Sequence, residues 1–302
     1  MYLDRITNAQ PNVELRDAAA LAGALGTGRD RIEGVDTSRG LLMTVLGEYL
    51  LRNNGPAWTQ SIVDALELVG VRDKTARQTL ARLHKQGRLD KLRVGRQTRW
   101  SLTPATRTIL ETGATHIYGF GLGERRWDQR WTVLLASVPE KDRKVRYRMS
   151  VRLRWAGFGT PGQGVWLSPW TSREAEAVEA LEELGVPATS FIGEIGQLGD
   201  GVQLVRQAWD LPRLRTGYEQ FLVETENVQE RAVDDPAAAA ELTTLVHRWR
   251  QFPFADPDLP SELLPDAWPR PAAARRFIEL RAELSAGATR WWDATEAAHT
   301  PA

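Results

Sequence analysis

Apolar residues recur at intervals of three and four from position 41: Leu41, Leu42, Val45, Leu46, Tyr49 and Leu50 line one side of a predicted helix. Ser38 stands before them as an N-cap, because a serine hydroxyl accepts from an orphan amide of the first turn. Asn53-Asn54-Gly55-Pro56 stops the helix. A shorter helix opens at Thr59, another capping hydroxyl, carries Ile62, Val63, Ala65, Leu66 and Val69 inward, and ends at Gly70. A third spans about 72–86, with Ala76, Leu80 and Leu83 as its apolar stripe and Gly87 beyond its end. The period then switches to two. Residues 89–94 and 97–102 alternate around Gly95-Arg96 as the strands of a hairpin do. Thr103-Pro104 opens one more helix through about Thr112, with proline in the first turn where its missing N–H costs nothing.

Before this block, residues 1–36 carry only a weak helical signal at 13–25, which reads as an arm. After it, the loop with Gly119, Gly121 and Gly123 marks a boundary; no strand precedes it and no Lys-Ser/Thr follows, so it is not a phosphate loop. Beyond lie a strand at 131–138, a helix at 140–155, a strand at 165–168, a helix at 172–184 and a strand at 188–195, with room for a short strand near Phe158. That order suits a ferredoxin-like α+β domain. From about Asp200 the pattern is helical: 211–226 and 236–251 are amphipathic, 252–270 is a proline-punctuated connector, and 271–292 is a last long helix. The expected architecture is therefore a multidomain α+β chain. Its parts are an arm (1–37), a winged helix-turn-helix unit (38–113), a linker (114–126), a ferredoxin-like middle domain (127–199) and a helical C-terminal domain (200–302).

Composition narrows the function classes. With 302 residues the chain exceeds one ordinary core, and its 42% hydrophobic and 26% charged content is that of a soluble globular protein. It has no cysteine, so no disulfide, thiolate zinc site or cysteine nucleophile exists. Neither a spanning apolar run nor a secretion signal is present, which points to the cytoplasm. The four histidines, His84, His116, His247 and His299, lie far apart without metal-ligand spacing.

A net charge of zero conceals an asymmetry. Between Arg72 and Arg99 ten basic residues stand against Asp73 and Asp90 alone, so the remainder of the chain is acidic. Such a block is either a polyanion-binding surface or a solvated charged face. Three helices followed by a hairpin is the winged-helix order, and it favours the former: the major groove admits a helix whose polar side chains lie opposite its apolar stripe. That opposite face offers Lys74, Thr75, Arg77, Gln78 and Arg82. Arginine reads guanine bidentately and glutamine reads adenine, while Lys74 and Thr75 suit phosphate equally well. The hairpin adds Arg93, Arg96, Gln97 and Arg99, placed for the backbone or the minor groove.

Several sequence blocks taken together carry a family likeness. They include Leu41-Leu42-Met43-Thr44-Val45-Leu46-Gly47-Glu48-Tyr49, Ala76-Arg77-Gln78-Thr79-Leu80-Ala81-Arg82-Leu83 and Gly95-Arg96-Gln97-Thr98-Arg99-Trp100-Ser101-Leu102-Thr103. Further along stand Trp127-Asp128-Gln129-Arg130-Trp131, Trp155-Ala156-Gly157-Phe158-Gly159, Gly164-Val165-Trp166-Leu167-Ser168-Pro169, Ala208-Trp209-Asp210-Leu211 and Arg250-Gln251-Phe252-Pro253-Phe254. Over about 38–290 the chain resembles the PaaX family, bacterial repressors of phenylacetate degradation. The resemblance implies a winged helix, a ferredoxin-like domain similar to small CRISPR-adaptation nucleases, and a helical domain that helps form a homodimer. It also implies binding of double-stranded DNA at a palindromic operator, released by an aryl-CoA or related acyl-CoA thioester. Two departures are the N-terminal extension and tryptophan at position 100 where tyrosine is expected.

A nuclease of the similar fold needs a carboxylate at the end of its first strand. Here that strand ends Ala136-Ser137-Val138-Pro139, so no catalytic residue and no metal site is assigned, and the alternative functions are metal-dependent cutting by the ferredoxin-like domain and a regulator that answers to no small-molecule effector. Asp128, before the strand, reads as a structural hydrogen-bonding residue. The helix at 140–155 carries Lys141, Arg143, Lys144, Arg146, Arg148, Arg152 and Arg154, suited to the phosphates of a CoA ester, to a wider DNA footprint, or to a solvated face. The twelve tryptophans form core or line an aryl pocket. The expected effector-binding residues are Arg146, Arg148, Arg152, Trp166 and Trp209.

Overall fold

The computed structural model describes residues 37–121, 123 and 125–301. The expected arm, apart from Thr37, lies outside the described residues. Helix α1 (Ser38–Val45) continues through a π-helical turn (Leu46–Leu51) whose residues other than Gly47 are buried. Its cap is Thr37 and not Ser38: Thr37 has extended backbone, and its Oγ1 accepts from the Gly40 amide at 3.2 Å, whereas Ser38 already lies inside the helix. A two-residue strand, β1 (Ala57–Trp58), leads to α2 (Thr59–Glu67) and α3 (Asp73–Lys85). Thr59 does not cap α2 either. Its hydroxyl donates to the Thr98 carbonyl at 3.0 Å and accepts from Trp100 Nε1 at 2.9 Å, tying helix to hairpin.

Strands β2 (Leu89–Val94) and β3 (Gln97–Leu102) form the expected hairpin around Gly95, whose φ of 58° suits glycine. Strand β1, unforeseen in the sequence, adds to β3 and completes a sheet ordered β1-β3-β2. Helix α4 (Pro104–Gly119), capped by Thr103, runs well past the expected stop at Thr112. Its second half buries Ile117 against the C-terminal core, and the Ile117 carbonyl accepts from Trp249 Nε1 at 2.9 Å.

The middle domain holds β4 (Trp131–Ala136), α5 (Arg143–Trp155), β5 (Gly159–Gly162), β6 (Val165–Ser168), α6 (Glu174–Glu183) and β7 (Ala188–Gly193). The sheet order β5-β6-β4-β7, antiparallel throughout, is that of a ferredoxin-like fold. Asp128 Oδ1 accepts from the Arg130 amide in the turn before β4, the structural role expected of it. Two helices cover one face through Leu134, Leu153, Trp166 and Leu181. On the other face Trp131 and Leu167 meet α7 (Gly201–Ala208) and Trp209. A Cβ on Gly159 would lie 2.4 Å from the Trp209 ring, so this approach requires glycine. Edge strand β7 is exposed along its whole length.

The C-terminal helices are α8 (Leu211–Thr225), α9 (Val228–Arg231), α10 (Asp235–Trp249), α11 (Phe252–Ala255) and α12 (Arg270–His299), the last extending well beyond the expected end near Trp292. Trp249 is fully buried and stacks on Phe277 at 4.8 Å. A charged knot joins this domain to the middle one: Arg270 binds Asp256 at 3.3 Å and Asp258 at 3.0 Å, and the Asp258 carbonyl accepts from Trp170 Nε1 at 2.8 Å. No helix among the described residues is long and apolar enough to cross a membrane.

His116, on α4, faces Phe254 and donates from Nε2 to the Pro253 carbonyl at 3.0 Å. Burial, with the charge of Arg173, pulls its pKa down. An unfolded histidine gains a proton near pH 6.5. Below that pH the unfolded chain is protonated more than the folded one, so stability present at neutral pH falls on acidification. In His116→Gln, which keeps an N–H donor, the dependence of thermal unfolding on pH between about 5 and 7 should flatten.

Candidate nucleic-acid interface

Ala76, Thr79, Leu80 and Leu83 are the buried stripe of α3 and seat it on α1 and α2. The helical period therefore turns Lys74, Gln78 and Arg82 together to solvent, and all three are exposed. Arg77 is also exposed but committed: it pairs with Asp73 at 2.9 Å and donates to Gln60 Oε1 at 2.6 Å. Thr75 is half-buried, and its carbonyl accepts from the Thr79 hydroxyl. On the hairpin, Arg93, Arg96 and Gln97 are exposed near the turn, Arg93 Nε donating to the Gly95 carbonyl at 3.3 Å.

Arg99 behaves differently from the rest of the expected set. Opposite Trp58 in the β1–β3 register, its guanidinium stacks over the Trp58 ring at 4.8 Å, donates to the Pro56 carbonyl and meets Glu296 Oε2 at 3.3 Å. It points towards the end of α12, away from the hairpin tip. Neighbouring bonds make this a clamp. Glu296 Oε1 accepts from the Trp58 amide at 2.9 Å, Thr300 Oγ1 accepts from Trp58 Nε1 at 3.1 Å, and His299 Nε2 lies 2.7 Å from Asp64 Oδ2. Tyr49 stacks on Trp292 at 4.5 Å. The last turns of the chain thus brace the back of the three-helix and hairpin unit.

Sequence reasoning missed these long-range braces, along with Glu48. Its carboxylate is buried in the π-helical turn that continues α1, where it accepts from the Tyr118 hydroxyl and faces Arg281 at 3.6 Å. The one signal in the sequence was a carboxylate set within an apolar helical stripe.

The five expected effector-binding residues do not converge. Trp166 is buried on the α5–α6 face of the middle sheet and Trp209 on the opposite face. Arg152 pairs with Glu183, while Arg146 is half-buried and Arg148 exposed on α5. Strand β4 ends in Ala136, and among the described residues no three histidines or carboxylates gather as a metal site needs.

Three family profiles match the chain in succession: a PaaX-like protein over residues 37–106, the PaaX protein central Cas2-like domain over 124–205, and the PaaX-like protein C-terminal domain over 209–294. The transcriptional repressor PaaX of Escherichia coli K12 is 28% identical over 251 residues, spanning 80% of this chain and 78% of that protein. A solved structure of an uncharacterized protein from Mycobacterium tuberculosis is 19% identical, covers 83% of this chain and 96% of its own, and superposes with a TM-score of 0.54, a likeness of fold.

Proposed function

Since this chain belongs to the PaaX family, we propose that it is a transcriptional repressor that holds duplex DNA through a winged helix, with α3 in the major groove and the β2–β3 hairpin on the backbone. The observation that carries this reading is the single cationic and amide-bearing face of Lys74, Gln78 and Arg82, exposed opposite a buried stripe and continued by Arg93, Arg96 and Gln97. Gln78 and Arg82 read base edges; Lys74, Thr75, Arg93 and Arg96 hold phosphates. Arg77 and Arg99 serve by holding their neighbours in place.

The protein acts in the cytoplasm as a homodimer on a palindromic operator, because a two-fold site mirrors a two-fold protein. Strand β7 supports such pairing. It is an uncharged edge strand, Ala188-Thr189-Ser190-Phe191-Ile192-Gly193, without the proline, bulge or lysine that ordinarily blunts an exposed edge. Its Phe191, 57% exposed, lies across from Val133 on the same face as Leu135, 47% exposed. Release by an aryl-CoA or other acyl-CoA thioester belongs to this reading, the exposed cations of α5 being its candidate phosphate ligands. The effector acts only through its difference in affinity for the DNA-bound and free states. A nuclease reading fares worse, since the first strand of the middle sheet lacks a carboxylate at its end.

Counterion release tests the interface. Binding of duplex from the protein's own upstream region is measured by fluorescence anisotropy over a range of potassium chloride. Arg96→Ala should lower the slope of log K against log salt by about 0.9, the value for one phosphate no longer neutralised. Arg99→Ala should weaken binding with an unchanged slope, because it loosens the brace and leaves every phosphate its cation. Equal slopes for wild type and Arg96→Ala would remove the hairpin from the interface.

A further inference from the structure

The Arg77–Gln60 and His299–Asp64 contacts are the two ends of one chain of hydrogen bonds. Gln60 and Asp64 stand one turn apart on α2, and Gln60 Nε2 donates to Asp64 Oδ1 at 2.8 Å. At one end Arg77 Nη2 donates to Gln60 Oε1 at 2.6 Å, while Arg77 Nε donates to both oxygens of Asp73 at 3.0 and 2.9 Å. At the other end His299 Nε2 donates to Asp64 Oδ2 at 2.7 Å, because an ionised carboxylate only accepts. The path runs from the last turn of α12 across α2 to α3, the helix assigned to the major groove.

The chain has a fixed polarity. The Gln60 amide turns its oxygen to a guanidinium and its N–H to a carboxylate; flipped, it would set like against like at both partners. Asp64 gives one oxygen to each side, so no member turns away without undoing a neighbour's bond. All five side chains are half-buried or exposed, where such contacts contribute little to stability. Their effect is on position. Arg77 immediately precedes Gln78, and its bonds to Asp73 and Gln60 tie that turn of α3 to α2. Glu296 and His299 share α12 but hold different elements: Glu296 grips β1 and the hairpin through Trp58 and Arg99, whereas His299 grips α2 and, through it, α3.

We propose that His299, Asp64 and Gln60 are positioning residues for base recognition: acting through Arg77, they set the placement of Gln78 in the groove. The last helix of the C-terminal domain thereby bears on the sequence that α3 reads. This rests on the DNA-binding reading and adds to it a specificity role for residues that touch no base.

The test uses full-length protein, the upstream duplex and single-base variants of that duplex, read by anisotropy. Gln78→Ala first identifies the base pair at which discrimination is lost. His299→Ala should weaken binding of the upstream duplex about threefold and reduce discrimination at that base pair by a similar factor. Preferences at other positions, and the melting temperature, should change little. His299→Gln, which restores an N–H donor, should regain both affinity and discrimination. In a double-variant cycle His299→Ala should have no further effect once Arg77 is alanine, whereas Glu296→Ala, which frees the hairpin instead, should multiply with Arg77→Ala. Uniform weakening across every duplex, or factors for His299→Ala and Arg77→Ala that multiply, would assign His299 to the hairpin brace alone and overturn the proposal. Unchanged affinity and base preference in His299→Ala would overturn it as well. Wild-type protein that binds no duplex at all would instead defeat the parent reading.

Discussion

Phe191→Arg is expected to turn a dimer into a monomer and to weaken operator binding by about a hundredfold or more. Pairing two copies of β7 about a two-fold axis would continue the four-stranded sheet across the interface, with Phe191 and Leu135 giving it an apolar seam on one face. An arginine at 191 enters that seam twice, once from each copy, and leaves two like charges facing each other out of water. Within one protomer the change is mild, since Phe191 is 57% exposed and substitutions at such positions usually alter stability by no more than about 0.5 kcal/mol. The loss on DNA is large because a dimer's second half-site binds at high effective concentration, an advantage of about 10² to 10⁴ that a monomer forfeits. Sedimentation velocity reads the assembly, circular dichroism the fold, and anisotropy with whole and half operators the affinity. Wild type and variant should bind a half operator alike. A monomeric wild type, or a variant that remains dimeric, would remove β7 from the interface.

Where periodicity had room to repeat, sequence and structure agree. The stripe of α3 was legible because it is buried against neighbours close in the chain, the hairpin because Gly95 turns between two strands although β2 buries only Leu89, and β4, β6 and β7 were legible as strands between turns. Strand β1 was not, because two residues cannot display a period. Helix α4 was misjudged at Gly113, where a residue that commonly ends helices is instead buried within one. Tertiary burial of Ile117 and Phe120 carries the helix onward. Of the expected DNA-facing residues, Lys74, Gln78, Arg82, Arg93, Arg96 and Gln97 are exposed as their pattern indicated. Arg99 was legible only as one more cation on a hairpin. Its role depends on Glu296, nearly two hundred positions away, and no local signal connects the two.

The same distance in sequence hides the feature with the largest expected effect on stability. Replacing Glu48 by alanine should cost about 3–5 kcal/mol, measured by urea unfolding. Glu48 and Arg281 side chains are 3% and 13% exposed, at 3.6 Å, and the Arg281 guanidinium lies 4.1 Å from the Tyr118 ring centre. Burial and the nearby carboxylate push the Tyr118 pKa well above that of an ordinary phenol, so it remains a donor to Glu48 across the working pH range. This group joins α4, α12 and the π-helical turn that continues α1. Alanine at 48 strands the Arg281 charge in a low-dielectric interior with only the neutral Tyr118 side chain beside it. That penalty arises from the unpaired partner, not from the intrinsic worth of the bridge, whose attraction is largely offset by desolvation of both ions. The double variant Glu48→Leu with Arg281→Met removes both charges at similar volume, and should therefore recover most of what the single change loses. Tyr118, left without its acceptor, accounts for a residual deficit of about 1–3 kcal/mol, and adding Tyr118→Phe should return part of it. Because Trp292 and Glu296 extend from the same helix to brace the hairpin, operator affinity should follow stability through this series once the folded fraction is taken into account. If Glu48→Ala unfolds at the same urea concentration as the double variant, the buried charge is satisfied elsewhere, and α12 is held to the DNA-binding unit by its apolar packing alone.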